Sequence, residues 1–290
     1  MEKENIKLPV SDSEILNDIN LIKQSVKENK TKEVTAVLFN MIDLTSLNTA
    51  DTVGNIKKMT DKVSEFNSVF PNLNNVAAIC VYPSFIDTVK QNLRDKNVKI
   101  ASVGACFPSS QSFISVKAAE CDLCIKKGAQ EIDIVIPVGM FLEGKYENVI
   151  SEISFLKSTI GNNCLKVILE TGELQNLQNI YTASILSMEA GADFIKTSTG
   201  KTQVSATPEA VYTMCLAIKD FYKKSGKKIG IKPSGGMATT EDALLYYLIV
   251  NKILGKDWLN NKLMRLGTSK LANIMLSELY PEDKEKGNYF

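Results

Sequence analysis

Lys196 and Lys232 each close a short apolar run: Ala192-Asp193-Phe194-Ile195 precedes the first and Ile229-Gly230-Ile231 the second. A charge at the end of such a run is unusual, because desolvating it is costly without a partner. Asp133 lies inside a third run, 132–136. If the two lysines end neighbouring parallel strands, about 4.8 Å apart, each ammonium depresses the pKa of the other and favours a neutral amine on one. A neutral amine is the nucleophile that forms a Schiff base with a carbonyl substrate. A carboxylate such as Asp133 can then shuttle the proton through a water. A buried ion-pair network between these acids and lysines would use the same residues for structure alone, and both readings stay open at this level.

The rest of the composition narrows the chemistry. The chain has no histidine, which removes Ser-His-Asp and Cys-His catalysis, zinc sites with His ligands and the HExxH motif. Lys+Arg is 34 and Asp+Glu is 33, so the basic excess that a nucleic-acid or anionic-membrane binder needs is missing. Cys121 and Cys124 form one CxxC in an amphipathic helical stretch with no second pair. The six cysteines read as reduced thiols of a cytoplasmic protein. No metal and no cofactor is expected.

Glycine-rich turns follow the runs that matter. Thr197-Ser198-Thr199-Gly200-Lys201 follows Lys196, Pro233-Ser234-Gly235-Gly236 follows Lys232, and Gly267-Thr268-Ser269 follows the last run and opens the last long helix. Backbone amides in such turns and at helix N-termini bind anions, phosphate above all. Gly200-Lys201-Thr202 is not the end of a Walker A loop, since Ile195 stands where that motif needs glycine.

These residues need elements to hold them. Eight short apolar runs, at 35–42, 75–81, 99–104, 131–136, 165–170, 193–196, 228–231 and 263–266, alternate with amphipathic helical stretches. That alternation signals a parallel sheet covered on both faces, and eight units point to a closed (β/α)8 TIM barrel; a doubly wound open sheet is the alternative. The length of 290 residues fits one barrel of roughly 250 residues as well as two domains of ~150. No linker interrupts the chain. We read a single domain at 34–280, an N-terminal helical extension at 1–33 with Ile15, Ile19, Ile22 and Val26 at helical spacing, and a mobile polar tail at 281–290. The strand ends then bring Asp43, Cys80, Gly104, Ala105, Asp133, Glu170, Lys196, Lys232 and Gly267 to one face of the barrel.

The segments Leu165-Lys166-Val167-Ile168-Leu169-Glu170-Thr171-Gly172-Glu173-Leu174, Gly191-Ala192-Asp193-Phe194-Ile195-Lys196-Thr197-Ser198-Thr199-Gly200-Lys201 and Lys232-Pro233-Ser234-Gly235-Gly236 resemble the deoxyribose-phosphate aldolase family. Asp43-Leu44-Thr45, Ala78-Ile79-Cys80-Val81-Tyr82-Pro83 and Glu131-Ile132-Asp133-Ile134-Val135 are weaker matches, and all occur in family order. The resemblance implies a class I aldolase of deoxyribonucleotide catabolism that cleaves 2-deoxy-D-ribose 5-phosphate reversibly to D-glyceraldehyde 3-phosphate and acetaldehyde. It implies Lys196 as the Schiff-base lysine, Lys232 as the second lysine and Asp133 as acid/base partner. Asp43, Cys80 and Lys201 fall on substrate-lining positions, and Gly200, Gly235, Gly236, Gly267 and Ser269 on phosphate-loop positions. In some members a terminal tyrosine assists proton transfer; here Tyr289 is penultimate. The chain departs from the pattern at Thr268 and Lys270, where the family often has Gly-Ala-Ser-Ser, and at Ser234, where alanine is common. Relatives are often dimers, so a homodimer is a further expectation. The competing readings are a class I aldolase for another phosphorylated sugar and a non-catalytic barrel serving as a scaffold.

Overall fold

A computed structural model describes residues 6–290. Eight parallel strands lie in the order β7-β6-β5-β4-β3-β2-β1-β8: β1 (Ile42–Thr45), β2 (Ala78–Val81), β3 (Lys99–Val103), β4 (Glu131–Val135), β5 (Cys164–Ile168), β6 (Phe194–Lys196), β7 (Gly230–Lys232) and β8 (Leu266–Thr268). Parallel bridges Ile231↔Met264 and Ser234↔Gly267 join β7 to β8 and close the barrel. Helices cover the outside: α1 (Asp12–Asn29), α2 (Lys32–Asn40), α3 (Val53–Val69), α4 (Ile86–Asn92), α5 (Ile114–Lys127), α6 (Val138–Leu142), α7 (Tyr146–Ile160), α8 (Leu177–Glu189), α9 (Pro208–Ser225), α10 (Thr240–Leu254), α11 (Leu271–Leu279) and α12 (Lys284–Gly287). Among the described residues no helix is long and apolar enough to cross a membrane.

The strands bury both faces, but the two faces differ. Ile42, Leu44, Ile79, Val81, Ile132, Ile134, Leu165, Val167, Ile195, Ile231 and Leu266 join the large apolar core under the helices. The alternate positions turn into the barrel. There a small apolar cluster of Leu47, Ala78, Cys80, Ala101 and Val103 lines one side, and charged residues fill the other. Period-two alternation thus survives inside strands that read as continuous apolar runs.

One run folds differently from its sequence expectation. Most of the stretch 35–42 is not a strand: α2 occupies it, capped by Thr31, whose side chain accepts from the Val34 amide. Its buried residues Thr35, Leu38 and Phe39 follow i, i+3, i+4 spacing, and α2 packs on α10 and α11. The β-branched Thr35 and Val37 suggested a strand, yet capping and tertiary packing decide. The first strand starts only at Ile42.

The extension at α1 buries the expected Ile15, Ile19, Ile22 and Val26, under a capping box from Ser11 and Glu14. It lies against α9 and α10, where Tyr212 donates to Asp18 at 2.6 Å and Lys30 bridges Glu241 and Glu278. The tail also departs from expectation, since it is docked rather than loose. Asn273 exchanges two hydrogen bonds with the Phe290 backbone. Phe290 stacks on Phe39 and Phe66.

Candidate active site

Register puts Lys196 directly opposite Lys232 on β6 and β7. Both are essentially buried, at 2% and 0% exposure. Lys196 Nζ donates to Asp133 Oδ2 at 2.9 Å, and Lys232 Nζ donates to the same oxygen at 2.8 Å. Lys232 also donates to Asp43 Oδ2. Three residues absent from the sequence-level site complete the cluster. Lys166 bridges Asp133 Oδ1 at 2.9 Å and Glu131 Oε2 at 2.6 Å. Arg265 reaches Asp43 Oδ1 at 2.6 Å and Glu131 Oε1 at 2.9 Å. The signal for Glu131 and Lys166 lay in the sequence as Glu131-Ile132-Asp133 and Leu165-Lys166-Val167, charges at alternate positions that a barrel turns inward. Arg265 lies one residue before β8 and carried no such signal.

Electrostatics separate the lysines. Burial lowers the Lys196 pKa from its ordinary value, the Lys232 ammonium lowers it further, and Asp133 only partly offsets them. Burial also works against Lys232, but Asp133 and Asp43 together raise its pKa. Lys166, facing Asp133, Glu131 and Asp43, is likewise held protonated despite its burial. Burial would raise the pKa of Asp133, yet the three lysines hold it well below the usual carboxylate range. Lys196 is therefore the one amine of the cluster pushed toward its neutral, nucleophilic form. Cys80, fully buried in the small apolar cluster, is raised by that burial and by the charge of Asp133, so it stays a thiol.

Above this floor opens a cleft of about 260 Å³ lined by Thr45, Asn48, Gly200, Lys201, Ser234, Gly235, Gly236, Gly267, Ser269 and Lys270, among others. It gathers the three glycine turns in one place. Gly235 and Gly236 both have φ of +73°, so their amides take directions that side-chain-bearing residues rarely allow. At Gly267 a Cβ would stand 2.3 Å from Ser234 Oγ and 3.2 Å from Lys232 Cε, so glycine there lets the cleft wall settle onto the lysine. Lys201 donates to the Leu47 carbonyl at the rim. Glu170 has φ of +55° and is buried. It accepts from the Thr199 hydroxyl at 2.5 Å and the Thr199 amide at 3.2 Å, which fastens the loop after β6.

The structure thus brings Asp133, Lys196 and Lys232 together, and Gly200, Lys201, Gly235, Gly236, Gly267 and Ser269 around one cleft. Asp43 and Cys80 sit beneath, each 0% exposed. Tyr289 stands elsewhere: its hydroxyl donates to the Lys62 carbonyl at 2.7 Å, and its ring meets Phe66 and Phe70 edge-on.

A lumen of lysines beneath a cleft walled by glycine turns is the equipment of a barrel aldolase. The chain belongs to the DeoC/LacD family of aldolases, whose pattern matches residues 37–256. It is 40% identical over 268 residues to a putative deoxyribose-phosphate aldolase of Caenorhabditis elegans, covering 92% of this chain and 88% of that one. It is also 40% identical over 249 residues to the deoxyribose-phosphate aldolase of Homo sapiens, covering 82% of this chain and 78% of the relative. The tetrameric deoxyribose phosphate aldolase structure from Aeropyrum pernix has the same fold, with a TM-score of 0.67 at 24% identity over 89% of this chain and 96% of that one.

Proposed function

We propose that this chain is a class I deoxyribose-phosphate aldolase that cleaves 2-deoxy-D-ribose 5-phosphate reversibly to D-glyceraldehyde 3-phosphate and acetaldehyde. The observation that carries the reading is the buried Lys196–Asp133–Lys232 contact, in which Lys196 alone is pushed toward the neutral amine. In the cleavage direction the Lys196 lone pair attacks the substrate aldehyde carbon. The carbonyl oxygen takes up protons and leaves as water, and an iminium forms. Asp133, acting through a water, removes the proton of the C3 hydroxyl. The C2–C3 bond then breaks, its electrons flow into the iminium, and D-glyceraldehyde 3-phosphate departs. Protonation of the enamine carbon and addition of water release acetaldehyde and regenerate the amine. Lys232 stays an ammonium throughout and disfavours the protonated form of Lys196. The amides around Gly200, Gly235, Gly236 and Ser269 take the phosphate, with Lys201 at the rim.

Relatives named for deoxyribose phosphate favour this substrate over another phosphorylated sugar, and over a scaffold without activity. Cytoplasmic location is part of the reading, supported by six unpaired cysteines. So is self-association as a homodimer, supported by the exposed Phe113 and Leu123 at 80% and 57% exposure on the outside of the barrel; sedimentation as a monomer would remove it.

Borohydride reduction in the presence of acetaldehyde, followed by tryptic mapping, tests the assignment. The expected result is a reduced ethyl adduct on the Lys196 peptide, lost in Lys196→Leu. Lys232→Leu should lower the trapping rate at neutral pH by about tenfold for each unit that the Lys196 pKa rises. Trapping that persists unchanged in Lys196→Leu would overturn the assignment.

A further inference from the structure

Among the described residues, the barrel lumen holds four cationic side chains, Lys166, Lys196, Lys232 and Arg265, against three carboxylates, Asp43, Glu131 and Asp133. An uncompensated buried charge is costly. A lysine can shed its proton to escape that cost, whereas an arginine cannot. The distribution of contacts is uneven. Lys166 lies near all three carboxylates, at 2.6, 2.9 and 3.7 Å, and Lys232 contacts Asp43 and Asp133. Lys196 contacts Asp133 alone, on an oxygen it shares with Lys232.

Arg265 takes up the difference. Its Nη1 donates to Asp43 Oδ1 at 2.6 Å, and its two terminal nitrogens reach the two oxygens of Glu131 at 3.2 and 2.9 Å. Its Nε donates to the Asn261 carbonyl. The guanidinium lies 5.7 Å from the ring centroid of Phe194, two residues before Lys196 on β6. Every side of the head is thus engaged.

We propose that Arg265 is a positioning residue for the aldol chemistry: it takes up one countercharge from Asp43 and Glu131, which it shares with Lys232 and Lys166, leaves the three lysines one countercharge short, and so makes Lys196 the amine that goes without its proton. The proposal rests on Lys196 as the Schiff-base lysine and names what keeps that amine free. The groups acting directly on Lys196 are Asp133 on β4, Lys232 on β7 and Cys80 on β2; Lys166 on β5, Glu131 on β4, Asp43 on β1 and Arg265 before β8 are joined to them through the ion pairs of Asp133 and Lys232. Arg265 is the one cation among them whose charge is fixed at every working pH.

The test is the acid limb of two pH profiles, kcat/KM for 2-deoxy-D-ribose 5-phosphate and the rate of borohydride trapping of acetaldehyde on Lys196. In Arg265→Met a fixed cation is lost, so Lys196 keeps its proton to higher pH. The acid limb should move up by about one pH unit, with activity recovering at alkaline pH. Arg265→Lys, whose amine can shed its own proton, should leave the limb between the positions of the wild type and Arg265→Met. Glu131→Gln removes a countercharge and should move the limb the opposite way, to lower pH. A uniform loss across the pH range with an unmoved limb in the Met and Gln variants overturns the proposal and leaves Arg265 a structural residue. If Arg265→Met does not fold, the Lys and Gln variants decide by position and sign. Failure of the Schiff-base assignment looks different: no label on the Lys196 peptide of the wild-type enzyme at any pH.

Discussion

Lys196 has one carboxylate contact where its neighbours have two or three, and in the proposed mechanism that poverty, together with burial, leaves its amine free to react. It also carries a stability consequence of definite sign. The folded pKa of Lys196 is lowered from 10.5, so below that pH the unfolded chain holds the proton more firmly than the folded one. The folded state is therefore penalised at neutral pH, and the penalty fades as pH rises toward 10.5. Lys196→Met removes the penalty and leaves three cations facing three carboxylates. We expect it to abolish trapping while the midpoint of thermal unfolding stays level or rises, a gain of 1 kcal/mol being worth ~2–4 °C in a chain of this size. A fall of several degrees would show that Lys196 is needed as a structural cation. The two lysines and Asp133 were legible because a charge closing an apolar run is rare. Arg265 was not, because nothing in Met264-Arg265-Leu266-Gly267 tells which way its side chain turns until the barrel closes. The expected pairwise repulsion between Lys196 and Lys232 is present, but burial is the larger cause of the Lys196 shift. The sharing of Asp133 among three lysines appears only in three dimensions.

At the level of elements, the alternation of runs and helices sufficed for the barrel, and every run contains or touches a strand. The run at 35–42, mostly taken up by α2, shows the limit of composition: Thr35, Val37 and Ile42 favour extended chain, whereas a Thr31 cap and the spacing of Thr35, Leu38 and Phe39 favour a helix. The C-terminal segment was harder still. Its charge suggested a mobile tail, but its aromatic end is seated against Phe39, Phe66 and Phe70, and hydrogen bonds to Asn273 and Ser277 help to hold it down. This bears on Tyr289, whose hydroxyl is spent on the Lys62 carbonyl. A relay by Tyr289 would require the tail to leave its groove. Tyr289→Phe should lower stability by the ~0.5–1.5 kcal/mol of one hydrogen bond and leave kcat unchanged. A large fall in kcat with unchanged stability would instead mean that the tail visits the site during turnover.

On the scale of the whole molecule, the barrel is continuous from β8 through β1 to β7 by regular ladders, and β7 and β8 meet through the two isolated bridges at Met264 and Gly267, with four backbone hydrogen bonds between 231–235 and 263–267. The cleft straddles that junction: Gly235 and Gly236 belong to one side, Gly267 and Ser269 to the other. A phosphate bound as proposed would be gripped by both sides and act as a clasp. Bound inorganic phosphate should therefore slow amide hydrogen exchange at Arg265 and Gly267, whose amides donate across the junction to Ile231 and Pro233, more than at the Ile132 and Ile134 amides of β4. On the proposed phosphate site, the substrate's inert end, remote from the bond that breaks, would fasten the hoop around the buried charge cluster.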